Sequence, residues 1–264
     1  MNKPIKQHQP RKRFGQNFLQ DEGIIAQIIA AINPHPGELM VEIGPGLGAL
    51  TTSLLPILQK LYVIELDRDL IPKLKQNCHD LGELIIHQAD ALVFDFAKLV
   101  DASQKLRVVG NLPYNISSPL LFHLLTFASN IKDMYFMLQK EVAERLSAKV
   151  GIKAYGRLSI MMQYYCKIEK LFDVPASAFH PQPKVVSSFV KLVPYKKLPA
   201  QAKDFNTFAE IVKIAFNQRR KTLRNALKAV ISAEELEKIG VDPKLRPEQI
   251  KIEDYVKISN NLSF

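Results

Sequence analysis

Residues Gly110-Asn111-Leu112-Pro113-Tyr114 have the composition needed to act on an amino group attached to an aromatic ring. The lone pair of such a nitrogen, N6 of adenine for instance, is delocalised into the ring, so it is a poor nucleophile. Two acceptors that hold both N–H groups favour a pyramidal nitrogen and restore the lone pair, and Asn111 Oδ1 and the Leu112 carbonyl are the candidates. Pro113 removes a competing donor and stiffens the turn, while Tyr114 offers a ring on which a flipped-out or single-stranded base can stack. No general base is then essential, because the alkylated amine is cationic and strongly acidic. In isolation the tetrapeptide is equally well a proline turn beside a core tyrosine.

A second chemical signal lies upstream, in Gly44-Pro45-Gly46-Leu47-Gly48. Glycines there let the chain turn tightly and let a ligand approach the backbone without a Cβ in the way. The last glycine falls one residue earlier than in the dinucleotide fingerprint, and Glu42 precedes the turn by two positions. A carboxylate at that place repels a pyrophosphate but suits the ammonium and sulfonium charges of S-adenosylmethionine. Glu65, at the end of the next apolar run, is placed to accept both hydroxyls of a ribose, and Asp90, after the third, to accept the amino group of the cofactor adenine. Each acid alone is as well explained by a helix cap or a solvated loop; their recurrence at successive strand ends favours the cofactor.

The elements that must carry these residues follow from hydrophobic spacing. Residues 21–32 place Ile24, Ile25, Ile28, Ile29 and Ile32 at helical intervals, ending at Asn33-Pro34. An apolar run at 39–43 opens into the glycine turn, and Leu50, Leu54, Leu55 and Leu58 resume a helix. Expected strands at 61–65, 84–87, 107–110 and 134–139 alternate with helices around 70–78 and over 119–128. Strands separated by helices imply a parallel sheet covered on both faces. Segments 166–174 and 186–194 read as two strands with no helix between them, which fits an antiparallel edge hairpin. After a linker-like stretch at 194–199, Phe205, Phe208, Ile211, Val212, Ala215 and Phe216 mark an amphipathic helix. The expected domains are therefore 1–196, with a basic N-terminal arm, and an all-helical 200–264.

Taken together, Phe14-Gly15-Gln16-Asn17-Phe18-Leu19, Glu42-Ile43-Gly44-Pro45-Gly46-Leu47-Gly48, Glu65, Asp90, Asn111-Leu112-Pro113-Tyr114, Phe179-His180-Pro181-Gln182-Pro183-Lys184-Val185 and Asn217-Gln218-Arg219-Arg220-Lys221-Thr222-Leu223 span nearly the whole chain. In this combination the sequence resembles the ribosomal small-subunit RNA adenine N6,N6-dimethyltransferases. The resemblance implies an α/β, Rossmann-like class I methyltransferase fold: a mostly parallel seven-stranded sheet with an antiparallel edge hairpin, plus a small all-α C-terminal domain. It implies that Asn17 and Leu19 help close over S-adenosylmethionine, that Gly44, Gly46, Glu65, Asp90 and Asn111 contact it, and that Tyr114 and Phe179 bracket the target adenine. It also implies a substrate of two adjacent adenosines in a hairpin loop near the 3′ end of small-subunit rRNA, each receiving two methyl groups.

Bulk properties agree with a polyanionic partner. The 264 residues include 36 Lys and Arg against 26 Asp and Glu, a net charge of +10. Arg11-Lys12-Arg13, Lys184, and Arg219-Arg220-Lys221 with Arg224 are the candidate RNA-binding cations. Two cysteines, Cys78 and Cys166, are too few for a disulfide framework and lack metal-ligand spacing, so no metal is expected. With no membrane-length apolar run and no secretion signal, a cytoplasmic monomer acting on rRNA or an immature small subunit is the expectation. His180, Lys140-Glu141, Met161-Met162 and Tyr164-Tyr165 read as structural. Two rival functions are large-subunit rRNA adenine methylation, as in macrolide-resistance enzymes, and a non-catalytic assembly role; intact Glu65, Asp90 and Asn111 weigh against the second, and the glycine spacing against a nicotinamide dehydrogenase.

Overall fold

Alternating strands and helices build the first part of the chain, and the computed structural model describes residues 16–100, 104–218 and 220–262. A two-residue strand, β1 (Phe18–Leu19), leads into α1 (Glu22–Ile32), where the Asp21 side chain accepts the Ile24 N–H at 3.0 Å and Asn33 closes the helix in the left-handed region. The glycine turn follows β2 (Met40–Ile43), whose four residues are all buried, as a central strand covered on both faces requires. Then come α2 (Thr51–Leu58), β3 (Lys60–Glu65), α3 (Ile71–Asn77), β4 (Glu83–Gln88), β5 (Leu106–Asn111), α4 (Ser117–Leu125) and β6 (Ile131–Gln139). Leu54, Leu55 and Leu58 of α2 are almost wholly buried, each worth about 1.5–3 kcal/mol of apolar burial.

Beyond β6 the chain forms α5 (Lys140–Leu146), α6 (Arg157–Tyr165), β7 (Cys166–Val174), β8 (Phe179–His180) and β9 (Ser187–Pro194). The seven-stranded sheet has the order β4-β3-β2-β5-β6-β9-β7. β2 runs parallel to β3 and β5, β3 to β4, and β5 to β6, whereas β9 is antiparallel to β6. From β2 the chain winds outward first through β3 and β4, then on the other side through β5 and β6. The crevice outside the carboxyl ends of β2 and β5 is thus the topological switch point where such sheets bind ligands. The expected fold is therefore the observed one, with β9 inserted between β6 and the edge strand β7.

The last part is helical: α7 (Phe205–Asn217), α8 (Leu223–Leu227), α9 (Ala233–Lys238) and α10 (Ile252–Asn261). The chain divides into two compact units, one reaching to Ala143 and resuming over Glu169–Val193, the other comprising Glu144–Ile168 and the chain from Pro194 onward. The break before Pro194 lies close to the expected boundary at 196–200, and the difference from the expected division is that residues 144–168 also belong to the helical unit. Residues 144–168 join the helical unit because Tyr164 and Tyr165 of α6 pack on Phe208 and Phe205 of α7, at centroid distances of 4.7 and 5.3 Å. Met161 and Met162 are buried in the core and the tyrosine pair packs on α7, as structural residues do. In the same unit Ser232 and Glu235 form a reciprocal capping box on α9.

Among the described residues no helix is long and apolar enough to cross a membrane, and no group of His, Cys, Asp and Glu is arranged to hold a metal ion.

Candidate active site

A cavity of about 760 Å³ opens at the switch point. Its wall is built from the ends of β2, β3 and β5, the loop after β4, and the segment Gln16 to Gln20. Gly46 has φ +59°, and a Cβ placed there would sit 3.1 Å from the Phe18 ring, so both the left-handed backbone and the aromatic overhead call for glycine. Gly44 also lines the cavity with φ +66°; Gly46 does not line it, although its N–H points at Glu65.

Two buried carboxyls define the electrostatics. Glu65, the last residue of β3, accepts the Asp67 N–H at 2.8 Å through Oε1 and the Gly46 N–H at 3.2 Å through Oε2. Burial pushes its carboxyl up, and these main-chain donors oppose the shift. Glu42, fully enclosed on β2, accepts the Thr51 hydroxyl at 2.6 Å. Burial drives it up to about 7, the Thr51 bond pulling down and the nearby Glu65 pushing further up. Asp90 also lines the cavity and accepts the Leu92 N–H at 2.9 Å through Oδ1.

The geometry at Asn111 fixes which atom faces outward. Its Nδ2 donates to the Asn17 carbonyl at 3.0 Å. A carbonyl can only accept, so the nitrogen must lie on that side and Oδ1 on the other. Leu112, Pro113 and Tyr114 continue the wall, with the Tyr114 hydroxyl 3.2 Å from Ser187 Oγ. Asn17 and Leu19 line the same cavity.

Phe179 is placed differently from the other expected residues. It is buried, belongs to the hydrophobic core and does not line the cavity. Its backbone is nonetheless next to the site, because β1 pairs antiparallel with β8, Leu19 opposite Phe179 and Phe18 opposite His180. His180 is exposed, and Lys140 Nζ donates to Asp173 at 2.8 Å. Lys184 in the first unit, and Arg220, Lys221 and Arg224 in the second, are exposed. Arg11, Lys12, Arg13, Phe14, Gly15 and Arg219 lie outside the described residues.

Several contributors carry no signal of their own in the sequence. Gln16 Nε2 bonds Asp67 Oδ2 at 3.0 Å, and the Phe18 ring covers Gly46, so the segment before α1 is fastened across the crevice at three places, counting Asn17. Gln16 and Phe18 do stand inside a quoted motif, but their spacing does not reveal which of its members reach the site.

A mostly parallel seven-stranded sheet with an antiparallel β9, an acid-flanked glycine turn after its first parallel strand and an acid at the tip of the next define an S-adenosylmethionine-dependent methyltransferase. The volume, the glycine cradle and the buried Glu42 and Glu65 fit a cationic cofactor of that size. The chain belongs to the ribosomal RNA adenine dimethylase family, whose model matches residues 7–263. It is 55% identical, over 97% of its own length and 92% of the relative's, to ribosomal RNA small subunit methyltransferase A of Marinobacter nauticus. The same-named protein of Pseudomonas aeruginosa is also 55% identical, covering 98% of this chain and 97% of that one. Among solved structures, a dimethyladenosine transferase from Plasmodium falciparum matches with TM-score 0.74 and 29% identity, over 91% of this chain and 95% of that one.

Glu42 is expected to give the site a pH dependence. A cationic cofactor bound nearby would favour the ionised carboxyl, and that form is lost as pH falls through about 7. Affinity for S-adenosylmethionine should therefore weaken by up to about tenfold per pH unit below that point. Calorimetric titration between pH 8 and pH 6 checks this: a wild-type profile as flat as that of Glu42→Gln would refute it.

Proposed function

We propose that this chain transfers methyl groups from S-adenosylmethionine to N6 of adenosines in small-subunit rRNA, dimethylating two adjacent adenosines of a hairpin loop near its 3′ end. The observation that carries the reading is the orientation of Asn111, with Oδ1 turned away from Asn17 at the edge of the cavity. The small-subunit assignment draws on the names of the relatives, and the two-adenosine site on the resemblance of the motifs.

Glu65 and Asp90 would hold the ribose and adenine of the cofactor, and Gly44 its approach to the backbone. Bound there, the cofactor supplies an electrophilic methyl group. Asn111 Oδ1 and the Leu112 carbonyl accept the two N–H bonds of the target amine and turn its lone pair out of conjugation. Tyr114 stacks on the base and Pro113 holds the turn rigid. The proton then leaves the cationic product amine to solvent. Phe179 completes the base site only if its ring leaves the core, so its part rests on a change of side-chain position.

RNA affinity is assigned to the helical unit. By sequence it carries 19 Lys and Arg against 10 Asp and Glu, nine of the ten net positive charges of the chain. Arg220, Lys221 and Arg224 are its exposed candidates for phosphate contact, and Lys184 the candidate in the first unit.

Tritiated methyl transfer to undermethylated small subunits, with large subunits as the comparison and mapping of the modified bases, tests the proposal. Incorporation should be confined to small subunits, at two adjacent adenosines. Arg220→Glu with Lys221→Glu should raise the KM for RNA and leave cofactor binding unchanged. Label in large subunits alone would overturn the substrate assignment.

A further inference from the structure

A second cavity, of about 470 Å³, is lined wholly by residues of the helical unit. Gln163 of α6 is held in one orientation there, because its Nε2 donates to the Leu146 carbonyl at 2.7 Å and the Ala148 carbonyl at 2.9 Å. Both partners can only accept, so the two donors are used and the remaining polar atom, Oε1, is an acceptor. Tyr195, also in the lining, is 38% exposed and so presents an accessible ring. Lys149, Lys167 and Lys251, all exposed, border the cavity against a single acid, Glu253.

A fixed acceptor, an open aromatic face and three ammonium groups suit a planar heterocycle that carries an N–H donor and is attached to phosphates. We infer that this cavity receives an unpaired nucleotide of the RNA substrate, its base stacked on Tyr195 and donating to Gln163 Oε1, its phosphates against the lysines. An apolar ligand would gain nothing from the lysines, and a free anion nothing from the ring. The inference rests on the reading of the chain as an RNA-modifying enzyme and adds a contact point apart from the methyl-transfer cavity.

The chain contains no tryptophan, so Tyr195→Trp installs a single fluorescent reporter that preserves a stacking ring. Titration of this variant with a short single-stranded RNA labelled for anisotropy should quench the indole emission with the same midpoint as the anisotropy change. Tyr195→Ala should weaken RNA binding about tenfold, and Tyr195→Phe should not, with S-adenosylmethionine affinity equal in all three as the check on folding. RNA that binds by anisotropy while the emission stays constant, or equal RNA affinity in Tyr195→Ala and Tyr195→Phe, overturns the pocket alone. RNA that fails to bind the wild-type chain at all overturns the broader RNA reading with it.

Discussion

Replacing Asn111 by alanine should slow single-turnover methyl transfer by about 10²–10³-fold, the size seen when one preorganised donor or acceptor is removed from a reacting centre. The effect is expected in the chemical step because the acceptor is rigid. Asn111 ends β5, between β2 and β6, with Gly110 opposite Ile43 and Asn111 opposite Met137. Gly110 is packed so closely that a Cβ would lie 2.6 Å from the Ile43 carbonyl oxygen, so the strand tip has little room to shift. Asn111→Asp sharpens the test. It keeps size and acceptor but sets a carboxylate oxygen against the Asn17 carbonyl, two acceptors facing each other, and should also be slow. Near-wild-type single-turnover rates in Asn111→Ala would remove the proposed role.

The Asn17 contact links parts of the site that are far apart in sequence. Asn17 fixes the amide of Asn111, Phe18 covers Gly46, and Leu19 pairs with Phe179. One short segment therefore touches the glycine turn, the amine-binding turn and the strand that carries the second expected base contact. If binding of the cofactor steadies Gln16 to Gln20, it steadies the acceptor for the target amine by the same contacts. Methyl donor and base would then be recognised in a coupled way; RNA affinity measured with and without S-adenosylhomocysteine would show whether they are.

The parallel sheet was legible because β2 to β6 each carry an apolar stretch that stops at a polar or glycine residue where the chain turns, with Glu65 at one such end and Asp90 just past another. The helical register of α1 and α7 was legible from one-sided apolar spacing. α6 was not, since Leu158, Ile160, Met161, Met162 and Tyr164 are buried all round the helix and leave no polar stripe to set a period. The small β1–β8 pairing was hidden for a different reason: two residues on each side cannot show alternation, and the pairing joins segments at opposite ends of the first unit. Single-residue burial is equally invisible in sequence: Phe179, which the resemblance sets beside the target adenine, has its ring in the core.

Arg107→Met is expected to cost about 3–5 kcal/mol of folding stability, because it removes one partner from a buried ion cluster. The guanidinium is 5% exposed and donates to Asp133 at 2.8 and 3.2 Å, to the Ile32 carbonyl at 2.7 Å and to Glu38. It lies on the same strand as Asn111, four residues earlier, or roughly 13 Å away at strand rise, so it clamps the root of the strand whose tip holds the acceptor. Methionine fills much of the volume but leaves the buried Asp133 without its counter-ion. The acid limb distinguishes this from a simple packing loss. Burial raises the Glu38 carboxyl, but Lys132 and Arg107 outweigh that and hold it at about 2, below the ordinary 4.5. A depressed acid contributes its full stability above about pH 4.5 and loses it as pH falls towards 2. Urea unfolding at pH 7 and pH 3 should therefore show wild type losing stability on acidification, and Arg107→Met, weaker at pH 7, losing less. A variant within about 1 kcal/mol of wild type at pH 7, with an unchanged acid limb, would mean that the cluster contributes no more than exposed ion pairs do.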